Sequence, residues 1–290
     1  MSNAKALDQF YTHPAIAKEC YRAFCSIVKP SDDVTWIEPS VGTGAFGNLL
    51  VEDERSFIAL DLEPKVDFAT EQNFFDFVAP STTELITIGN PPYGKRSKLA
   101  LDFLNKSLKD GSRYVGFVLP LQFRKWSVQS HVQGNARLIY DQTLPEHSFI
   151  FNGKPYGVRC CFQIWENGDF EAPQTAHLED LRLKEKPKTE HPDFLTYQYN
   201  RTKEAEKFFD YEWDFCVVRQ GYHDYTKKYF SAEECDRKKQ FIFFKAKNGE
   251  VLERLMSLDF EALSLKNTST PGFGKADVVE AYVKRFGEGK

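Results

Sequence analysis

The sequence lacks the residue patterns that bind structural metals. Its six cysteines form no Cys-x-x-Cys pair, and no histidine stands at zinc-ligand spacing. Cys160 and Cys161 are neighbours in an apolar segment, while Cys20 and Cys25 fall within one helical segment. We therefore expect free thiols and no metal site.

Long apolar runs are also absent. No segment of the 290 residues has the length and apolarity of a membrane span, and the N-terminus carries no signal-peptide pattern. Free thiols fit a reducing compartment. These absences predict a soluble, cytoplasmic protein with no membrane partner.

Positive charge is not in excess, since the formal net charge is −4. This argues against a protein that coats nucleic acid through bulk charge, although a local basic cleft remains compatible. Aromatic residues are plentiful, with 26 Phe and 13 Tyr. Composition alone favours an aromatic-rich core over a surface that stacks on bases.

The first two-thirds of the chain alternate helix-like and strand-like segments. Apolar spacings of three and four after Pro14 predict a helix that ends at Lys29-Pro30. Strands are predicted at residues 34–37, 57–60, 85–88, 114–119, 138–143 and 158–165, and a further helix at 97–108. This alternation predicts an α/β fold with a doubly wound, mostly parallel sheet, which binds ligands at the carboxyl ends of its strands.

The character of the sequence changes after Glu166. Residues 167–175 are turn-rich, and residues 181–192 are charged and contain two prolines. We predict one domain at residues 1–168 and a smaller α+β region at residues 169–290, with helices at 251–258 and 276–286.

The strongest motif is Gly89-Asn90-Pro91-Pro92-Tyr93, which directly follows the strand ending at Ile88. The two prolines restrict the backbone and lack N–H groups. The Asn90 amide oxygen and the Pro91 carbonyl then form an acceptor pair for both hydrogens of a primary amine. Tyr93 offers a flat face for stacking on a base, and the π electrons of its ring favour a nearby cation. This loop predicts positioning chemistry on a planar amine, without a strong base.

A glycine turn follows the first strand, in Glu38-Pro39-Ser40-Val41-Gly42-Thr43-Gly44-Ala45-Phe46. Its glycines permit close approach of the backbone to a ligand. The spacing is not that of a dinucleotide site, and the Lys of a phosphate loop is missing. Glu38, before the turn, suits a ligand that carries an amino group.

Two further acids follow strands on the same predicted edge. Asp61 ends the second strand, where a carboxylate can accept hydrogen bonds from both ribose hydroxyls. Asp76-Phe77 offers a carboxylate for an adenine amine and a ring for its face.

As a set, these motifs resemble the amino-methyltransferases that act on DNA adenine, in the gamma arrangement, over residues 8–166. In that family the cofactor motifs come first, the Asn-Pro-Pro-Tyr motif follows, and the target-recognition region is C-terminal. The resemblance implies a class I methyltransferase fold with a seven-stranded sheet, S-adenosylmethionine as donor and adenine N6 as acceptor. His13 departs from the family pattern, where small or charged residues are more usual.

The resemblance also implies roles for individual residues. Cofactor contacts are expected from Tyr11, Thr12, Glu38, Pro39, Ser40, Gly42, Gly44, Asp61, Leu62, Asp76, Phe77 and Asn90. Catalysis is expected from Asn90, Pro91, Pro92 and Tyr93. Tyr93 and Phe151 would sandwich the target base, with Tyr156 as the second candidate for Phe151. Residues 1–168 would be the catalytic domain and residues 169–290 the target-recognition region.

The implied partner is double-stranded DNA whose target base is flipped out of the helix, because N6 is buried in a duplex. Lys95, Arg96 and Lys98 follow the motif at once and could hold the flanking phosphates. A cognate restriction endonuclease is a compatible partner. The sequence does not fix the oligomeric state, and we favour a monomer.

Two alternatives remain open. The same chemistry suits RNA adenine, cytosine N4 or a protein glutamine amide, since all present a planar amine. The second alternative is a non-catalytic nucleic-acid-binding subunit that keeps the fold, although all five residues of the motif at 89–93 are present.

Overall fold

The computed structural model describes residues 10–81, 84–151, 153–168 and 173–288. The chain divides into two compact units, residues 1–184 and 185–290. The sequence suggests a boundary at residue 168, whereas the structure divides the chain after Lys184. The stretch before Lys184 belongs to the first unit because it is hydrogen-bonded to it. Arg137 donates to the Thr175 carbonyl at 2.7 Å, and the Leu181 amide donates to the Leu138 carbonyl at 2.8 Å.

The first unit contains ten strands and four α-helices within its described residues. The strands are β1 (Tyr11–Thr12), β2 (Thr35–Glu38), β3 (Phe57–Asp61), β4 (Thr70–Glu71), β5 (Leu85–Gly89), β6 (Ser112–Pro120), β7 (Ala136–Thr143), β8 (Phe149–Phe151), β9 (Lys154–Tyr156) and β10 (Cys160–Asn167). The helices are α1 (Pro14–Val28), α2 (Gly47–Glu52), α3 (Lys98–Lys109) and α4 (Trp126–Gln129).

Seven of these strands form the central sheet, in the order β4-β3-β2-β5-β6-β10-β7. The first five strands run parallel to one another, whereas β10 runs antiparallel to both β6 and β7. The prediction of a mostly parallel seven-stranded sheet is therefore confirmed. β1, β8 and β9 form a separate antiparallel sheet.

Helix α1 packs on the central sheet through a buried aromatic ring and a glycine. His13 caps it by accepting from the Ala15 amide at 3.2 Å, and Lys29 ends it with a φ of 49°. Phe24 is fully buried and packs on Gly116 of β6, where an added Cβ would lie 2.5 Å from the ring. Glycine is therefore required there for close helix–sheet packing.

The second unit is an α+β structure, as expected for the C-terminal region. Its antiparallel sheet has the order β11-β13-β12, with β11 at Phe194–Tyr199, β12 at Phe215–Val218 and β13 at Phe241–Ala246. Three helices follow, α5 (Gly249–Met256), α6 (Phe260–Lys266) and α7 (Lys275–Phe286). Buried aromatics, among them Phe215, Phe241, Phe243, Phe244 and Tyr282, fill its core. Much of the aromatic excess thus serves packing.

None of the helices in the described part of the chain combines the length and apolarity that a membrane crossing requires.

Candidate active site

A cavity of about 560 Å³ opens at the carboxyl ends of β2, β3 and β5. This is the edge where an open parallel sheet binds its ligands. The predicted site residues that line the cavity are Tyr11, Thr12, Glu38, Pro39, Ser40, Gly42, Asp61, Leu62, Asn90, Pro91, Pro92 and Tyr93. The structure therefore brings most of the sequence motifs to one wall.

Asn90 is held rigidly at the end of β5. Its side-chain Nδ2 donates to the Phe10 carbonyl at 3.0 Å, and its backbone carbonyl accepts from the Ser40 hydroxyl at 3.1 Å. The amide oxygen Oδ1 is buried and has no hydrogen-bond partner among the described residues. A buried acceptor without a partner costs free energy unless a ligand supplies a donor. Asn90 lines the cavity and thus carries a fixed acceptor that no described residue uses.

Tyr93 lines the same cavity with its ring, while its hydroxyl lies in the core. The side chain is only 9% exposed, and its oxygen lies 3.2 Å from the Cys160 sulfur. Burial, followed by the influence of Cys160, raises the pKa of the Tyr93 hydroxyl well above its ordinary value. Burial also raises the pKa of the Cys160 thiol to about 12. Both groups stay protonated at neutral pH and carry no charge into the site.

The glycine turn and the end of β3 are tied together by Asp61. Its carboxylate accepts from the Gly42 amide at 2.7 Å and from the Glu63 amide at 2.9 Å. Gly42 has a φ of +55°, and a Cβ there would lie 2.9 Å from the Tyr11 ring. Only glycine fits this turn without strain. Each carboxylate oxygen of Asp61 retains lone pairs for a ligand.

Glu38 is a carboxyl group buried beside the cavity. It is 1% exposed, and its Oε2 has no hydrogen-bond partner among the described residues. Burial raises the pKa of the Glu38 carboxyl well above its usual range, and the Gly47 amide opposes this only in part. A cationic group in the cavity would reverse the effect. The site therefore suits a ligand with an ammonium group.

Several predicted residues do not line the cavity. Gly44 belongs to the glycine turn, Asp76 is the last residue of the short 3-10 helix Phe74–Asp76, and Phe77 follows that helix. Asp76 is exposed, whereas Phe77 stacks on Phe74 with ring centroids 6.5 Å apart. Phe151 packs on Phe10 and Tyr156 instead, with centroids 5.6 Å away in each case.

The three predicted phosphate ligands lie just beyond the motif, outside the cavity wall. Lys95 and Arg96 are exposed, and neither forms an ion pair with a described residue. Lys98 is also exposed but pairs with Asp102 at 2.9 Å, one turn along α3. Two of the three cations are therefore available to a ligand.

The sequence missed part of the wall. The wall residues without a predicted contact are Phe10, Val41, Thr43, Ala45, Phe46, Glu63, Gln72, Asn73, Phe74, Phe75, Gly94, Leu99 and Phe103. Asn73 caps the 3-10 helix by accepting from the Phe75 amide at 3.0 Å, which turns this segment toward the cavity three residues before Asp76. No group of three or more His, Cys, Asp or Glu side chains in the described ranges could hold a metal ion.

Comparisons with known proteins give structural likeness alone. No protein-family model matches this chain, and no curated protein matches it. A putative class I S-adenosylmethionine-dependent methyltransferase from Listeria monocytogenes is 14% identical over 56% of this chain, with a TM-score of 0.42. The chain spans 62% of that protein's length. A putative RNA methyltransferase from Pyrococcus horikoshii shares 18% identity over 55% of this chain and 87% of its own, with a TM-score of 0.43.

The likeness to a third structure extends further along the chain. MmeI, a Type IIL restriction-modification enzyme solved in complex with DNA, is 9% identical over 92% of this chain and 67% of its own, with a TM-score of 0.50. At such identities the likeness concerns the fold. The mostly parallel seven-stranded sheet, with one antiparallel strand next to its edge, gives this chain the fold of the class I methyltransferases.

Proposed function

We propose that this chain is an S-adenosylmethionine-dependent methyltransferase that methylates N6 of adenine in DNA. The observation that carries the proposal is the Asn90 amide oxygen, which belongs to a residue of the cavity wall, is buried and has no partner in the part of the chain that the structure describes. An exocyclic amine supplies the N–H donor that this oxygen needs. Because the orientation of the amide is fixed, its oxygen can select and orient a planar amine.

The residues present fit the cofactor. The buried Glu38 carboxylate would accept from the methionine ammonium, and the Asp61 carboxylate would accept from the ribose hydroxyls. Gln72, Asn73 and Phe75 line the remaining wall and suit the adenine ring, in place of Asp76 and Phe77. When bound, S-adenosylmethionine supplies an activated methyl group on a sulfonium centre.

The chain's own groups then prepare the amine. Asn90 Oδ1 and the Pro91 carbonyl accept its two hydrogens, which favours a pyramidal nitrogen with a localised lone pair. Tyr93 presents its ring to the base, because its hydroxyl is turned into the core. Phe151, the predicted second face of the sandwich, packs on Phe10 and Tyr156 outside the cavity wall, so the proposed base contact is carried by Tyr93. Positioning therefore accounts for most of the rate enhancement.

DNA is the proposed substrate because several features suit a large anionic ligand. Lys95 and Arg96 are exposed directly after the motif and could bind phosphates beside a flipped nucleotide. Lys98 would join them if it left Asp102. The likeness to MmeI, which was solved with DNA, supports the same substrate class. Residues 185–290 would then carry target recognition, and a restriction endonuclease is a compatible partner.

The experiment is methyl transfer from tritiated cofactor to DNA, RNA and protein, followed by analysis of the modified nucleosides. We expect label in DNA as N6-methyladenine. Label in RNA, in N4-methylcytosine or in glutamine would contradict the substrate assignment but retain the chemistry. No transfer to any substrate, together with no cofactor binding by calorimetry, would contradict the function and favour a non-catalytic subunit.

A further inference from the structure

The Asn90 amide depends on a segment at the start of the described chain. Its Nδ2 donates to the Phe10 carbonyl at 3.0 Å, so this contact decides which way the amide faces. Nitrogen and oxygen of an asparagine side chain exchange places by a half-turn about one bond. Without the Phe10 carbonyl, a donor could face the cavity where an acceptor is needed. The position of Phe10 therefore matters for the site.

Phe10 is not held by the strand pairing that fixes its neighbours. Tyr11 and Thr12 pair with Ile150 and Phe149, and the His13 amide donates to the Ser148 carbonyl at 2.9 Å. Within the described residues this ladder starts at Tyr11. The Phe10 carbonyl thus lies one residue outside it.

Aromatic stacking holds Phe10 instead. The Phe10 ring stacks on Tyr156 of β9, with centroids 4.9 Å apart and planes 3° from parallel. β9 is anchored by antiparallel pairing to β8, through Tyr156 and Phe149. The hairpin therefore supports the Phe10 ring, mainly through the parallel stack on Tyr156 and also through Phe151, whose tilted ring has its centroid 5.6 Å away.

We infer that Tyr156 is a positioning residue for methyl transfer. Its ring fixes Phe10, the Phe10 carbonyl fixes the Asn90 amide, and the amide oxygen is thereby kept toward the amine. This inference rests on the proposed function. It differs from stacking on the target base, because one face of the Tyr156 ring is already covered by Phe10.

The kinetic test compares Tyr156→Ala with Tyr156→Phe. Loss of the ring should lower kcat roughly 10- to 100-fold, as expected when an aligned polar group is released. The KM for DNA and the Kd for S-adenosylmethionine should stay within about threefold, since residues 11–13 keep their pairing. Tyr156→Phe keeps the ring and should restore kcat to within about twofold.

Tyr140→Ala is the matched control. Tyr140 is a half-buried tyrosine of β7 in the same unit, it makes an edge contact with Phe162, and it does not line the cavity. Its removal should leave kcat within about twofold of wild type. An equal fall in kcat for both alanine variants would show a general packing effect and overturn the inference. A raised KM for DNA with unchanged kcat in Tyr156→Ala would favour base stacking and overturn it as well.

A second readout does not need methyl transfer. The side-chain amide signals of Asn90 in a ¹⁵N NMR spectrum can be assigned by their loss in Asn90→Ala. In Tyr156→Ala they should shift and exchange with water faster, while Tyr140→Ala should leave them in place. Unchanged Asn90 signals in Tyr156→Ala would refute the inference. A wild-type protein without methyl transfer would refute the proposed function separately.

Discussion

The Tyr93 hydroxyl and the Cys160 sulfur lie 3.2 Å apart inside the core, although Tyr93 also lines the cavity. The hydroxyl is therefore a structural group, and the ring is the part of Tyr93 that can meet a base. Tyr93→Phe should keep kcat within about threefold of wild type, because the ring stays. Tyr93→Ala should lower kcat about 100-fold or more through loss of the stacking face.

Steady-state methylation assays of these two variants test the assignment. Cofactor binding by calorimetry serves as the check on folding. If Tyr93→Phe were as inactive as Tyr93→Ala, the hydroxyl rather than the ring would take part in the reaction.

Asp61 both ties the glycine turn and faces the cavity. Asp61→Ala removes the acceptor of the Gly42 amide and the proposed ribose contact. We expect the Kd for S-adenosylmethionine to rise about 10- to 100-fold, with a smaller change in kcat at saturating cofactor. Asp67→Ala, an exposed acid in the following loop that does not line the cavity, is the control. Equal affinities in the two variants would contradict the proposed ribose site.

We expect the ionisation of Glu38 to make the free energy of unfolding depend on pH. Its pKa in the folded protein is raised above the ordinary value of 4.5, so the free protein should lose stability as pH rises from about that value. Glu38→Gln removes the ionisable group and should flatten this slope. It should also weaken S-adenosylmethionine binding, because the ammonium loses its anionic partner.

Thermal unfolding across pH 4 to 8, with and without cofactor, checks this prediction. The increase in Tm caused by S-adenosylmethionine should grow with pH in wild type and stay flat in Glu38→Gln. A wild-type Tm without cofactor that tracks the variant across this range would contradict the assignment of an unpaired buried carboxyl.

A buried ion pair at the other end of the central sheet predicts a pure stability effect. Glu166 is fully buried and accepts from Arg137 at 2.6 Å and from Thr175 at 2.8 Å. Glu166→Ala would leave the buried Arg137 charge without this partner and should lower the free energy of unfolding by about 3–5 kcal/mol. Urea unfolding measures the loss. The Kd for cofactor of the folded variant at low temperature should be unchanged.

Local rules account for what the sequence predicted well. The boundaries of the six predicted strands agree within one or two residues, because apolar β-rich runs between turn residues specify buried strands. Because β2, β3 and β5 run parallel, their carboxyl ends lie at the same edge of the sheet. Glu38, Asp61 and Asn90 therefore line one cavity.

Irregular backbone explains where prediction failed. The 3-10 helix after Asn73 turns Asn73 and Phe75 to the cavity and leaves Asp76 exposed, a change that no periodic pattern specifies. Leu99 and Phe103 line the cavity from the first turns of α3, which begins five residues after Tyr93. The contact of Phe10 with Asn90 joins residues 80 positions apart and has no local sequence signal.

The most direct test of the central claim is methyl transfer to DNA adenine by Asn90→Ala, with cofactor affinity measured in parallel. Asn105→Ala is the matched control, since that side chain hydrogen-bonds at the surface to His131 and Gln133 and does not line the cavity. We predict that Asn90→Ala loses N6-methyladenine formation by about 100-fold or more while its Kd for S-adenosylmethionine stays within about threefold. Undiminished N6-methyladenine formation by Asn90→Ala would contradict the account.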